Sequence, residues 1–404
     1  MLVLDRKIVR GSKNMNIKIS EKIKYIGVDD TTLDLFESQY VIPDGVSYNS
    51  YVILDEKIAV IDTVDERMQK EWEENLLREM DGNVVDFLII QHLEPDHTGG
   101  ILRMLQLFPK IILVGNQKTF LFLSQFLKQH VEDFESLNTL VIKENDTLSL
   151  GEHQLHFRMA PMVHWPEVTV TYESTEKILF SADAFGKFGA LEVTEDDDWA
   201  CEARRYYFNI VGKYGIAVQN LLCKIKSMDV QMICPAHGPI LHPPLEDYIR
   251  LYDTWSRYEP EERGVFIVYG SFHGNSKAIA EYLAEKLHEN GEKVALSDAA
   301  RDDMAEMIED AFRYDRMVIV AASYDAGVFP QIKDFLSRLQ SKGYKKRRVG
   351  IVENGTWSPS AGRAIMESLN EMKSIEIIEP MVTIYSVMNE QNKIELDSLV
   401  KECL

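Results

Sequence analysis

Cysteine is scarce in this chain of 404 residues, which has four, and none of them forms a C-x-x-C pair. They are Cys201, Cys223, Cys234 and Cys403. Without such pairs, a disulfide framework and a tetrathiolate iron or zinc site are both disfavoured. The scarcity is typical of a reducing compartment, so we expect the protein in the cytoplasm.

Basic residues and long apolar runs are also in short supply. Lys and Arg number 44 against 65 Asp and Glu, which gives a formal net charge of −21. That balance repels phosphate backbones and anionic lipid surfaces, so nucleic acid and membrane partners are not expected. The longest apolar runs, such as 87–90 and 317–322, fall far short of the roughly 20 residues that a membrane-spanning helix needs.

The composition is that of an ordinary globular protein, and the length predicts two domains. Residues 1–14 are expected to form a loosely ordered extension. Residues 15–258 alternate short strands with helices in a way that indicates a layered α/β sandwich. They include a predicted strand at 154–159 and a long helical stretch over 202–226. A polar segment at about 259–264 then serves as a linker. Strict alternation of strand and helix over 259–404 predicts a doubly wound parallel sheet.

The most informative segment follows an apolar strand and carries four side chains of metal-ligand type. They are His92, Glu94, Asp96 and His97. Burying carboxylates without partners costs several kcal/mol, so this segment needs cations or hydrogen bonds. Three further side chains of ligand type stand where strands break into loops, namely His164, Asp183 and His237.

These seven side chains suffice for two divalent metals about 3.5–4 Å apart. We expect one metal on His92, Glu94 and His164, and the other on Asp96, His97 and His237. Asp183 is free to bridge them because a carboxylate has two oxygens. Three carboxylates without a thiolate suit iron or manganese better than zinc. The alternative is that these residues bind no metal, because a single His or Asp at a strand end is often a surface residue or a turn former.

The second half contains a phosphate-type loop at 270–276, which follows a strand and opens a helix. Its hydroxyls and backbone amides suit a phosphate monoester, although such a turn can also be only a helix cap. Loops 323–327 and 354–358 follow later parallel strands, and ligands of open α/β sheets bind at that edge. The candidate contact residues are Ser271, Phe272, His273, Gly274, Asn275, Ser276, Ser323, Tyr324, Asp325, Ala326, Gly327, Asn354, Gly355, Thr356, Trp357 and Ser358.

The His-x-Glu-x-Asp-His pattern at 92–97, followed in order by the other three ligand candidates, resembles the flavodiiron proteins, also called A-type flavoproteins. Segments 45–51, 181–186 and 205–211 extend the resemblance over almost the whole chain. It implies a metallo-β-lactamase-like αββα sandwich followed by a flavodoxin-like domain. Hydrolytic members of the metallo-β-lactamase superfamily usually carry His at the position of Glu94.

The resemblance also implies FMN, with its phosphate on 271–276 and its isoalloxazine between the two later loops, and two non-haem Fe ions. The diiron ligands themselves would be the catalytic groups. It further implies reduction of O₂ to water, of NO to N₂O, or of both, with electrons from rubredoxin or a similar small donor. A head-to-tail homodimer or a dimer of dimers is expected. The residues favour neither gas over the other.

Two alternatives come from other functional classes. One is a zinc-dependent hydrolase of the metallo-β-lactamase superfamily with a flavodoxin-like accessory domain. The other is an electron carrier with a vestigial metal site.

Overall fold

The first part of the computed structural model consists of short strands interleaved with helices. The structure describes residues 17–131, 133–194 and 198–404, so the extension expected at 1–14 lies outside the described residues. Its strands are β1 (Ile23–Tyr25), β2 (Val28–Asp30), β3 (Leu35–Phe36), β4 (Tyr40–Val41), β5 (Val46–Tyr48), β6 (Tyr51–Ile53), β7 (Ala59–Ile61), β8 (Phe87–Ile89), β9 (Ile112–Gly115), β10 (Thr139–Val141), β11 (Thr147–Ser149), β12 (Gln154–Met159), β13 (Thr169–Glu173), β14 (Ile178–Phe180) and β15 (Met232–Cys234). Its helices are α1 (Gln69–Met80), α2 (Pro95–Thr98), α3 (Ile101–Leu107), α4 (Gln117–Leu127), α5 (Trp199–Tyr206), α6 (Gly215–Ile225) and α7 (Glu246–Ser256).

These strands form two main sheets. One has the order β1-β6-β7-β8-β9-β10 and the other β11-β12-β13-β14-β15. A core cluster joins the two sheets, with Tyr51 and Ile53 from the first and Phe157 and Phe180 from the second. Every residue of β6, β7, β8 and β14 is buried, as expected for central strands covered on both faces. The predicted layered sandwich is confirmed.

The long helical stretch predicted over residues 202–226 is confirmed as helical, but it is not one regular α-helix. The chain leaves α5 through a π-helical turn, Tyr207–Val211, and a 3₁₀ turn, Gly212–Tyr214, before α6 begins. A Cβ at Gly215 would lie 2.3 Å from the carbonyl oxygen of Ser256 at the end of α7. The break therefore lets α6 pack closely against α7, a helix that the sequence analysis did not predict.

The second part alternates strand and helix throughout. In chain order the elements are β16 (Glu262–Gly270), α8 (Asn275–Glu289), β17 (Val294–Asp298), α9 (Met304–Arg313), β18 (Tyr314–Tyr324), β19 (Gly327–Val328), α10 (Pro330–Ser341), β20 (Lys345–Asn354), α11 (Ala361–Asn370), β21 (Lys373–Ile384) and α12 (Glu390–Cys403). The sheet order β17-β16-β18-β20-β21 is parallel throughout. This confirms the predicted doubly wound fold.

The two parts pack against each other through α9 on one side and α5 with the π-helical turn that follows it on the other. Phe208 stacks on Phe312 with ring centroids 4.3 Å apart, and Arg204 forms an ion pair of 2.6 Å with Glu309. The boundary predicted between residues 258 and 259 falls between α7 and β16 and stays a prediction. Among the described helices, none has the length and apolar character needed to cross a bilayer.

Candidate functional site

The seven predicted metal ligands lie in four loops that follow β8, β12, β14 and β15. Pro95 begins α2, where its missing N–H costs no intrahelical hydrogen bond. The first turn of this short helix then carries Asp96 and His97, both of which are buried. The local sequence therefore places several ligand-type side chains at the end of one strand.

The structure brings the seven side chains together in two groups, within each of which the ligand atoms lie within 4.8 Å of one another. The first group contains His92, Glu94, His164 and Asp183, and the second contains Asp96, His97 and His237. In the first group, Glu94 Oε2 lies 3.0 Å from His164 Nε2 and 3.4 Å from His92 Nε2. In the second, Asp96 Oδ2 lies 3.3 Å from His237 Nε2. The grouping matches the predicted division between two metals.

Asp183 lies between the two groups and turns one carboxylate oxygen to each. Its Oδ2 is 3.2 Å from His92 Nε2 and 3.5 Å from His164 Nε2. Its Oδ1 is 3.2 Å from His97 Nε2 and 3.5 Å from His237 Nε2. This is the placement that a bridging ligand requires.

Charge is concentrated in this cluster. Burial by itself lowers the pKa of His92, but the carboxylates of Asp183 and Glu167 outweigh it and raise that pKa well above its usual range. Burial likewise opposes the charge of His97, yet Asp96 and Asp183 raise its pKa to about 9. Burial raises the pKa of Asp183, but the neighbouring imidazoles outweigh this and hold it well below its usual range. Imidazoles and carboxylates with this charge pattern exchange protons for a divalent cation.

Several ligand-type atoms in the cluster are buried and have no hydrogen-bond partner in the described ranges. They are both carboxylate oxygens of Asp96, Oδ2 of Asp183 and Nε2 of His237. Buried polar atoms without partners are costly and rare, and a metal ion between them would satisfy them. Imidazoles and carboxylates without a thiolate also form a donor set that suits iron. The residues present therefore fit a pair of metal ions.

The residues that hold the ligands in place were not predicted from the sequence. Glu167 Oε1 lies 2.8 Å from His92 Nδ1, and the Ser47 carbonyl accepts the Nδ1–H of His237 at 2.7 Å. The Tyr206 hydroxyl donates at 3.1 Å to the carboxylate between the two groups. These contacts join distant parts of the chain, and the one local signal was the position of Glu167 three residues after a predicted ligand.

Aromatic rings surround the cluster. The Trp165 ring centroid lies 5.2 Å from that of His92, and the rings of Phe36 and Tyr48 lie 5.5 and 5.9 Å from that of His237. Apolar walls of this kind limit the access of water and lower the local dielectric, which strengthens electrostatic interactions inside the site.

A cavity of about 490 Å³ lies at the carboxyl edge of the parallel sheet, a volume typical of small-molecule sites. All the contact residues predicted for loops 271–276, 323–327 and 354–358 line it except Gly274 and Gly327. Three residues that were not predicted also line it, namely Ala322, Ser360 and Ser386. Ser386 follows β21, whose parallel register could have indicated its place at this edge.

The cavity lining combines polar and aromatic groups. Gly274, with a φ of 92°, precedes α8, whose first residues Asn275 and Ser276 line the cavity, and the Gly274 N–H donates to Ser271 Oγ at 3.1 Å. Free amides at a helix N-terminus suit a phosphate. Trp357 and Tyr324, which also line the cavity, are 89% and 45% exposed, as expected of residues whose rings stack on a flat ligand. The cavity therefore fits a phosphorylated aromatic cofactor such as FMN.

Comparisons with known proteins agree with both halves. The model of the ODP family beta lactamases matches residues 46–238, and that of a flavodoxin domain matches residues 266–390. The solved flavodiiron protein of Giardia intestinalis superposes with a TM-score of 0.85 at 20% identity, covering 98% of this chain and 99% of that one. In both halves, and in the order of the two halves, the chain is similar to the flavodiiron proteins.

Other flavodiiron relatives match over most of the chain. The anaerobic nitric oxide reductase flavorubredoxin of Escherichia coli O1:K1 / APEC is 28% identical over 358 residues, which cover 86% of this chain and 74% of the relative. The rubredoxin oxygen:oxidoreductase of Desulfovibrio gigas has a TM-score of 0.88 at 22% identity, covering 96% of this chain and 97% of that structure. The resemblance and the fold class predicted from the sequence are confirmed, whereas the individual ligand assignments stay predictions.

Proposed function

We propose that this protein reduces O₂ to water, NO to N₂O, or both, at a diiron centre supplied with electrons through FMN. The observation that carries the proposal is the position of Asp183. Its two oxygens face two separate groups of metal-type ligands, in a chain that also contains a flavodoxin cavity. The similarity to a nitric oxide reductase and to an oxygen:oxidoreductase supports this class of substrate.

The residues that would hold one iron are His92, Glu94 and His164, and those that would hold the other are Asp96, His97 and His237. Asp183 would contribute to both. When bound, the two irons supply open coordination positions and electrons for a diatomic substrate, and FMN supplies the electrons that restore them.

The exposures of the ligands indicate the open side of the site. The side chains of Glu94, Asp96 and His164 are 15%, 10% and 9% exposed, whereas those of Asp183 and His92 are 1% exposed. Substrate would therefore approach along the edge formed by the first three side chains. On the closed side, the Tyr206 hydroxyl fixes the orientation of the carboxylate between the two groups.

We extend the proposal to the assembly of the protein and to its electron donor. Phe272, Tyr324 and Trp357 form an exposed aromatic rim at the mouth of the flavin cavity, and an apolar rim of this kind favours cover by a protein surface. We propose that a second copy of the chain covers this rim in a head-to-tail dimer. We also propose that a rubredoxin-type protein is the electron donor. The four cysteines, all within the described ranges, form no disulfide, which supports a cytoplasmic location.

The test combines cofactor analysis with gas consumption on one preparation. We expect two irons and one FMN per chain. Protein that has been photoreduced under anaerobic conditions should then consume O₂ or NO added in stoichiometric amounts. The variant Asp183→Ala should keep FMN and lose gas consumption. Bound zinc, together with ester hydrolysis and no gas consumption, would contradict the proposal and support the hydrolase. Full gas consumption by Asp183→Ala would show that the metal cluster is not the reacting site.

A further inference from the structure

Glu167 is a completely buried carboxylate whose hydrogen bonds aim one metal-ligand candidate. Its side chain is 0% exposed. Oε1 accepts the Nδ1–H of His92 at 2.8 Å and the backbone N–H of Leu93 at 3.0 Å. With the proton on Nδ1, the lone pair on Nε2 of His92 points towards Asp183 and Glu94, where a metal would lie.

Within the described residues, neither histidine of the second group has a carboxylate hydrogen-bonded to its Nδ1. The Nδ1–H of His237 is accepted by a neutral backbone carbonyl, that of Ser47, at 2.7 Å. Nδ1 of His97 is buried, and no residue in the described part of the chain forms a hydrogen bond with it. A carboxylate partner makes an imidazole a stronger donor to a metal than a neutral partner does. The two groups are therefore unequal, although each has one carboxylate of its own and shares another.

Hydrogen bonds from Asn116 hold the backbone around Glu167 in position. Asn116 Nδ2 donates to its backbone carbonyl and, at 3.0 Å, to the hydroxyl of Thr169. Oε2 of Glu167 is buried without a hydrogen-bond partner among the described residues. Among the described residues, the imidazole of His92 is the one basic group within ion-pair distance of this carboxylate, so its effect is directed at that ring.

We propose that Glu167 is a positioning residue that makes the two metal positions unequal in affinity. The position formed by His92, Glu94 and His164 binds its metal more tightly and fills first. This inference rests on the two-metal site of the proposed function and adds an order of occupancy to it. A purely structural role for Glu167 would require only a hydrogen-bond acceptor, which glutamine also provides.

The first experiment uses Glu167→Gln, which keeps the size and one acceptor oxygen but removes the charge. The metal-loaded protein is titrated with a competing chelator, and retained iron is quantified at each step. We expect one of the two affinities to fall by about 10–100-fold, while the other affinity and the FMN content stay at wild-type values. Equal changes in both affinities, or no change in either, would overturn the inference.

The matched control is Glu173→Gln. Glu173 is also 0% exposed, and its Oε1 lies 3.3 Å from Nδ1 of the buried His153, away from the metal ligands. This control measures what the loss of one buried carboxylate does to the same domain. We expect both metal affinities of Glu173→Gln to match wild type. A selective loss as large as that of Glu167→Gln would count against the inference.

A second measurement needs no variant. Wild-type protein is first depleted of metal, then supplied with one equivalent of Co²⁺, crystallised and examined by anomalous diffraction. We expect cobalt between His92, Glu94 and His164. Cobalt confined to the group of Asp96, His97 and His237 would overturn the order of occupancy. Two cobalt ions bound at excess metal would meanwhile uphold the two-metal site, and absence of binding in either group would refute the proposed function together with this inference.

Discussion

Arg347 is a buried guanidinium that joins the two domains at their junction. The residue is 2% exposed. Its Nη1 donates to the carbonyl of Tyr258 at 2.7 Å and its Nε to that of Tyr314 at 2.8 Å, and its Nη2 donates to the carbonyl of Phe312. Tyr258 lies at the predicted end of the first domain, whereas the other two acceptors lie in the second.

The magnitude follows from these acceptors. A hydrogen bond to a charged group contributes about 1.5–3 kcal/mol, and a buried carbonyl left without a donor costs about 1–3 kcal/mol. Part of this is offset because the variant no longer buries a charge. We therefore expect Arg347→Met to lower the free energy of unfolding by about 3–5 kcal/mol. Arg347→Lys should recover less than half of that loss, because one ammonium cannot reach three carbonyls in the geometry of the planar guanidinium.

The assay is urea unfolding of the purified protein, followed by tryptophan fluorescence and circular dichroism. Arg348→Met provides the matched control, since Arg348 is the next residue, its side chain is 37% exposed, and it pairs with Glu376 at the surface. A surface pair of this kind contributes about 0–1 kcal/mol. If Arg347→Met unfolds at the same urea concentration as Arg348→Met, the reasoning about buried acceptors is refuted.

Three further predictions concern the flavin cavity and the domain contact. Gly274→Ala should weaken FMN binding about 10-fold in a fluorescence titration, because a φ of 92° costs an L-residue about 1–2 kcal/mol. The cost is conformational, since no atom lies within 4 Å of the added Cβ, and an unchanged affinity would contradict the prediction. Trp357→Ala should leave the free energy of unfolding within about 0.5 kcal/mol of wild type but weaken FMN binding about 2–10-fold through lost stacking; wild-type FMN retention would exclude Trp357 as a stacking ring. Burial lowers the pKa of Lys342 from 10.5 to about 8, so the unfolded chain binds more protons between these pH values and the free energy of unfolding should rise with pH across that window. Lys342→Met should flatten this rise, and an identical pH profile would refute the assignment.

Much of the fold could be predicted from the sequence because its periodicities are local. The alternation of elements after residue 264 matches the observed parallel sheet, and the predicted strand 154–159 is β12 itself. The change of helix type within the predicted helical stretch 202–226 has a tertiary origin. The change depends on the close approach of Gly215 to Ser256, and no pattern within the segment encodes that contact.

The residues of the metal cluster likewise divide into those that the local sequence signals and those that it does not. Four ligand candidates lie within six residues after one strand, so the chain itself signals them. Their supports do not, because Glu167 lies 75 residues from His92 and Ser47 lies 190 residues from His237 in the sequence. In the flavin cavity, the three loops could be predicted from the sequence because each follows a clear strand pattern. Ser386 was not predicted because it follows β21, where Pro380 interrupts the strand pattern.

One helical turn connects the metal cluster to the flavin domain. At the end of α5, Tyr206 donates to Asp183 between the two ligand groups, while Arg204 pairs with Glu309 at 2.6 Å and Arg205 with Glu306 at 2.9 Å. Both acceptors belong to α9, in the second domain. Successive residues of this turn therefore contact the bridging candidate and the other domain, so the packing of α5 against α9 and the hydrogen bond to Asp183 depend on the same stretch of backbone.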